Sequence, residues 1–266
     1  MSRTKAASPD PSPAATTVLT SLTSSADGIS IAFDVYEADS PHTVLIVPGF
    51  WRDRNYGTLR SLASHLVRSG YRAAILDLRG HGDSQGTFGF NRHEHLDVTA
   101  VTESLLASTA TRTVTLLGFS FGGAVSISTV VRHDLPWSSL LLVSPVATMS
   151  MISPRINPFT IHRHVSLGQA LRHPRFEWQI WRGDRLSALE DVASVRVPIT
   201  LIHARNDWLV GHRHSIALFQ RANEPKSLHL LDIPGCYHAD RLLAVAPQLM
   251  HRLIFHHLET YATLAG

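Results

Sequence analysis

TVTLLGFSFGGAVSISTVV, residues 113–131, joins two patterns at one turn. Thr113 to Phe119 is a short apolar run without alternation, which suits a strand buried on both faces of a parallel sheet. From Phe121 the small and apolar residues follow helical spacing, so a helix is expected over 121–133. Gly118-Phe119-Ser120-Phe121-Gly122 lies between them. The G-x-S-x-G spacing forces a sharp strand-to-helix turn, and the flanking glycines let neighbouring backbone pass close by. The turn projects the serine oxygen out of the sheet. It also aims unpaired N–H groups of the helix start at any negative charge developing there. Ser120 is therefore the candidate nucleophile.

Outward from this turn, the same kind of apolar run recurs at 43–49, 71–78, 139–145 and 197–204, with a last strand expected in LHLLDIPG (228–235). GISIAFDVYEA (28–38) alternates and reads as an antiparallel edge strand. Between the runs, Leu59, Leu62, Ala63, Leu66 and Val67 fall on one helical face, and 92–108, 212–222 and 242–258 are further helix candidates. Alternating strands and helices imply right-handed βαβ crossovers and an α/β fold with a mostly parallel central sheet flanked by helices. Residues 146–190 break the alternation with Pro154, Pro158 and Pro174, and are read as an inserted lid. Residues 1–25, rich in Pro, Ser, Ala and Thr, are expected to be a disordered tail. The rest, 26–266, is expected to be one domain.

The chain has 266 residues, 44% hydrophobic and 17% charged, with net charge +3. This composition excludes the disordered class and allows one self-sufficient core. The arginines are scattered, so nucleic-acid binding is not expected. No apolar run is long enough for a membrane span, no signal-like segment is read at the start, and a cytoplasmic location is expected. The single cysteine, Cys236, excludes an internal disulfide and is read as a small buried filler. No metal spacing or phosphate-binding loop is present, so no cofactor or metal is expected.

A serine hydroxyl needs a base, and the base needs a carboxylate that fixes its tautomer. In this strand–turn–helix context the order is Ser, then Asp or Glu, then His. His238, in DIPGCYHADRLL, follows the last expected strand and precedes the last helix. The histidines of the terminal helix and of 92–108 are read as structural. Asp207, in HARNDWLV, follows the strand 197–204. Asp184, Glu190 and Asp191 are less well placed, and Asp232 is too close to His238 in sequence.

With GFSFGG, LDLRGHGDSQG (76–86), NDWLV and CYHAD in hand, the chain from about residue 28 onward resembles the α/β-hydrolase superfamily. Within it, it is similar to short-lid serine esterases, thioesterases and acylglycerol lipases, including the cinnamoyl-ester hydrolase type. The resemblance implies an oxyanion hole built from the backbone N–H groups of Phe50 and Phe121, with Pro48-Gly49 where many relatives have His-Gly. It also implies that Arg79, His81 and Asp83 hold a loop near the site.

The expected function is hydrolysis of a small-molecule ester or thioester with an apolar acyl group, through a Ser120–His238–Asp207 triad and an acyl-enzyme. Trp51, Met149, Phe159, Trp178 and Trp181 are candidate substrate contacts. Arg155, Arg163, Arg172 and Arg175 raise an acyl carrier as a partner. Two alternatives stand beside this. One is an acyltransferase or cyclase using the same acyl-enzyme. The other is a ligand-binding protein on a hydrolase scaffold. The sequence does not fix the oligomeric state.

Overall fold

Adjacent residues of the central strands bury on opposite sides. Leu116 packs with Leu45, Leu140 and Leu201 on one face, while Leu117 packs with Ile46, Leu141 and Ile202 on the other. Strands whose apolar side chains point to both faces must be covered twice, and they are. In the computed structural model, which describes residues 17–108, 110–152, 175–177 and 186–262, these strands lie in an eight-stranded sheet. The strands are β1 (Val18–Ser24), β2 (Ser30–Tyr36), β3 (His42–Val47), β4 (Arg72–Leu76), β5 (Thr113–Phe119), β6 (Trp137–Val143), β7 (Ile199–Ala204) and β8 (Lys226–Leu231). Their order is β1-β2-β4-β3-β5-β6-β7-β8. β1, β2 and β4 pair antiparallel; from β4 onward every pairing is parallel. The expected α/β fold is present.

Helices α1 (Gly57–Arg68), α2 (Glu94–Ala107), α3 (Phe121–Arg132), α4 (Ala188–Asp191), α5 (Arg213–Arg221), α6 (Arg241–Val245) and α7 (Pro247–Tyr261), with two short 3-10 turns at Met149–Met151 and Val192–Ser194, complete the described elements. α1, α6 and α7 cover one face through Leu59, Leu62, Leu242, Met250 and Ile254. α2, α3 and α5 cover the other through Val98, Val101, Val125, Ile127 and Leu218.

Four expectations need correction. The tail ends before residue 18, because Val18–Ser24 forms β1, in register with β2 from Val18↔Tyr36 to Ser24↔Ser30. Its Thr, Ser and Leu content looked like low complexity, yet Val and Thr suit a half-exposed strand. β2 is consequently not the edge; β1 shields it, and β2 is almost wholly buried. The long terminal helix is two helices, since Ala246 precedes Pro247 and leaves the helical region (φ −137°, ψ 53°), as residues before proline do. Cys236 is exposed rather than buried. Most of the expected lid, at 153–174 and 178–185, lies outside the described residues, as do residues 1–16.

Candidate active site

The sharp turn after β5 holds Ser120 at φ 55°, ψ −118°, a backbone region that non-glycine residues rarely occupy. Its surroundings enforce it. The Ser120 N–H donates to the Val143 carbonyl at 2.9 Å, and the Ser120 carbonyl accepts from Gly123 at 3.0 Å. A β-carbon at Gly118 would come within 2.6 Å of the Gly123 α-carbon, and one at Gly122 would strike the Val47 and Pro48 carbonyl oxygens. The two glycines of the motif are thus required by the approach of β5 to α3 and of α3 to the end of β3.

Ser120 Oγ lies 2.8 Å from His238 Nε2. His238 Nδ1 lies 2.8 Å from Asp207 Oδ2. Because the carboxylate only accepts, Nδ1 carries the hydrogen and Nε2 is free to take the serine proton. The structure therefore brings the three predicted residues into one hydrogen-bonded chain. Each sits at the C-terminal end of a strand or just beyond it. Asp207 follows β7, and its Oδ1 accepts N–H bonds from Leu209 and Val210, each at 3.0 Å. Burial of this carboxylate works to raise its pKa. The charge interaction with His238 and contacts from His203 and His238 outweigh that, and Asp207 is held below the usual carboxylate range. His238 follows β8 on a loop pinned from two sides. The Ala239 N–H donates to Ser144 Oγ at 3.3 Å, and the Arg241 N–H donates to the His238 carbonyl at 3.1 Å.

The loop after β3 runs beside this chain. Among the described residues, the N–H groups of Phe50 and Phe121 have no protein acceptor, and both residues line the same pocket as Ser120. Trp51 adopts φ 66°. Its N–H donates to His81 Nε2 at 3.3 Å, while His81 Nδ1 donates to the Arg79 carbonyl at 3.2 Å. His81 thus braces the loop that presents Phe50. Arg79 is itself anchored to buried Asp97 at 2.6 Å and to Asp27 at 2.7 Å. Arg54 binds Asp34, Asp77 and Asp83.

The pocket has a cavity volume of about 250 Å³. Of the predicted substrate contacts, Trp51 and Met149 line it; Phe159, Trp178 and Trp181 lie outside the described residues. Ile152, in the apolar start of the expected lid, lines it as well, while sequence reasoning missed Phe90, Trp208 and Leu209, which line it too. Trp208 and Leu209 directly follow Asp207, so their place in the same loop was the available signal. Arg52 and Asp240 were also missed. The Arg52 Nε donates to both Asp240 carboxylate oxygens, at 3.2 and 3.3 Å, joining the Phe50 loop to the His238 loop. Of the acids set aside, Asp191 pairs with Arg132 at 2.7 Å and Asp232 with Arg205 at 3.2 Å, and Asp184 lies outside the described residues. Among the described residues, no three His, Cys, Asp or Glu side chains converge as a metal set, and no helix is long and apolar enough to cross a membrane.

Residues 38–179, more than half of the chain, match the family model described as serine aminopeptidase, S33 (Hydrolase_4). The chain belongs to this family of α/β hydrolases. Among solved structures, the S33-family chain is similar to the Pyrococcus furiosus esterase Pf2001, with TM-score 0.75 and 20% identity, over 93% of this chain and 91% of that one. It is 24% identical over 249 residues to the uncharacterized protein YnbC of Escherichia coli. It is 25% identical over 166 residues to the α/β-hydrolase domain-containing protein aho-3 of Caenorhabditis elegans. These matches take in 80% and 62% of this chain but only 42% of either relative, so the chain spans less than half the length of these curated relatives.

Proposed function

We propose that this protein is a serine hydrolase that cleaves carboxylic esters or thioesters with an apolar acyl group, through an acyl-enzyme on Ser120. The observation that carries the reading is the chain Ser120–His238–Asp207, with 2.8 Å at both links, opening onto a mostly apolar pocket. Ser120 Oγ attacks the carbonyl carbon as His238 Nε2 takes its proton. The carbonyl oxygen becomes an oxyanion between the N–H groups of Phe50 and Phe121, which have no acceptor among the described residues. The imidazolium, held by Asp207, gives its proton to the leaving oxygen or sulfur. Water then enters, His238 deprotonates it, and the acyl–Ser120 bond breaks to release the acid.

The wall charges favour an ester over a peptide N-terminus. An aminopeptidase holds a free ammonium, which calls for an available carboxylate. Asp240, the carboxylate among the lining residues, is already bridged to Arg52. Arg241, also lining the pocket, has no hydrogen-bonding or ion-pairing partner for its guanidinium among the described residues. Among the described residues, it adds an exposed positive charge to the rim of the pocket that no carboxylate offsets. That charge favours a substrate with an anionic leaving group, as in a thioester on a phosphopantetheine carrier.

The test is an ester and thioester panel graded by acyl length, with neutral and anionic leaving groups, run on wild type and Ser120→Ala. Turnover should fall by ~10³ or more in the variant, because nothing replaces the hydroxyl. Arg241→Gln should lower kcat/KM for the anionic members selectively. Activity that survives Ser120→Ala would overturn the reading. Absence of turnover on every ester and thioester would return weight to ligand binding.

A further inference from the structure

Behind Asp207 stands a second imidazole. His203 is the penultimate residue of β7 and is fully buried. Its Nε2 lies 2.7 Å from the Val210 carbonyl oxygen. A carbonyl only accepts, so Nε2 carries the hydrogen. Its Nδ1 lies 2.7 Å from Ser215 Oγ on α5, also fully buried. The neutral Nε2–H form satisfies both partners, with the Ser215 hydroxyl donating to Nδ1.

The same Nε2 is 3.4 Å from Asp207 Oδ2, the oxygen that accepts from His238 Nδ1. Val210 closes the arrangement. Its carbonyl takes the His203 hydrogen, and its N–H donates to Asp207 Oδ1. The turn 207–210 is thereby clamped between an imidazole fixed to α5 and the carboxylate it presents.

We propose that His203 is a positioning residue for the Ser120–His238–Asp207 chain. It fixes the plane of the Asp207 carboxylate from behind, through the Val210 carbonyl and through its own approach to Oδ2. Oδ2 then stays in line with the His238 Nδ1–H. The inference rests on the acyl-enzyme reading above. A histidine that merely filled the core would support the fold and leave the proton chemistry of His238 untouched.

Two amide side chains separate these roles. In His203→Gln the terminal NH₂ reaches the Nε2 position and can still donate to Val210. In His203→Asn the amide reaches only the Nδ1 position, and that donor is lost. Without the clamp the carboxylate turns away, the His238 imidazolium is less stabilised, and His238 loses its proton at lower pH. We therefore expect His203→Asn to lower kcat by about 10-fold or more with KM little changed, and to move the acid limb of kcat/KM to lower pH. His203→Gln should recover most of both. Ser215→Ala, which unties the ring from α5 at almost constant volume, should move the limb the same way by less, and it reads the proposal if His203→Asn fails to fold.

Asp207→Asn is measured beside them. Wild-type turnover and an unmoved limb in that variant overturn the chain reading itself, and His203 with it. If Asp207→Asn is impaired but the His203 and Ser215 variants keep the wild-type limb, the positioning role alone is overturned. That holds whether their kcat is unchanged or falls only with the folded fraction.

Discussion

At the scale of single residues, the site depends on side chains that are missing as much as on those present. Gly122 has no room for a β-carbon, because the atoms it would meet are the backbone carbonyls of Val47 and Pro48. Backbone at the end of a buried strand cannot swing aside as a flexible side chain could. Gly122→Ala must therefore displace α3 or the Phe50 loop. We expect roughly 1–3 kcal/mol lost, the range for forcing extra atoms into a packed site, together with a fall in turnover beyond what the folded fraction explains, since both displaced elements carry candidate oxyanion donors. Urea unfolding and kcat on one ester check it; a variant with wild-type stability and turnover would show that the approach of α3 to β3 is softer than the geometry states. The turn was legible at this scale because G-x-S-x-G fixes a backbone requirement in its letters. His203 was not. A histidine inside an apolar strand looks the same whether it fills the core or backs a carboxylate, and only the three-dimensional position of Val210 and Ser215 separates the two.

At the scale of elements, the runs read as doubly buried strands were found as such, because burial on both faces concentrates apolar residues in short runs that the few buried Thr, Ser and His do not hide. The antiparallel end of the sheet was read less well. β1 carries Leu19 and Leu22 exposed among Thr and Ser, so no hydrophobic face announces it, and its pairing with β2 is set by backbone complementarity. The loop between β3 and α1 shows what joins the elements. Arg54 is buried and reaches Asp34 on β2, Asp77 beyond β4, and Asp83 on the following loop. Nothing in the local sequence announced this, since the three carboxylates are 20, 23 and 29 residues away. Replacing Arg54 by Met keeps much of its volume and leaves Asp34 and Asp77 buried without a countercharge. Breaking a buried ion pair from one side costs about 3–5 kcal/mol. Thermal and urea unfolding of Arg54→Met should show a loss of that order. The double variant Arg54→Met/Asp77→Asn should recover part of it, and equal losses in the single and double variants would argue that the guanidinium acts by packing alone.

At the scale of the whole molecule, the buried histidines among the described residues make stability depend on pH in a direction the structure sets. Under the sheet, His42 bonds to Thr113 and Thr115, Thr115 to Ser139, and Ser139 to His257, which continues to Thr200. Elsewhere His95 meets His133 at 2.9 Å, and His214 accepts the Ala147 N–H at 3.0 Å. Burial pushes His42, His95 and His214 down to about 4 and His257 to about 3, with the neighbouring imidazoles His133 and His42 adding to the effect on His95 and His257. The unfolded chain binds these protons near pH 6.5, the folded chain only near 3 to 4. Between those values the unfolded state holds more protons, so stability is full above about pH 6.5 and falls as pH drops through the window. Two buried carboxylates work against this. Burial raises Asp77 to about 6 and Asp97 to about 7 against the pull of Arg54 and Arg79, which offsets part of the slope. The four imidazoles outnumber the two carboxylates, so the net slope keeps the histidines' sign. Urea unfolding at pH 7.5, 6.0 and 5.0 should show a falling free energy at an unchanged m-value. A flat profile would mean that these imidazoles already carry their protons in the folded state, which the hydroxyl and amide donors facing them argue against.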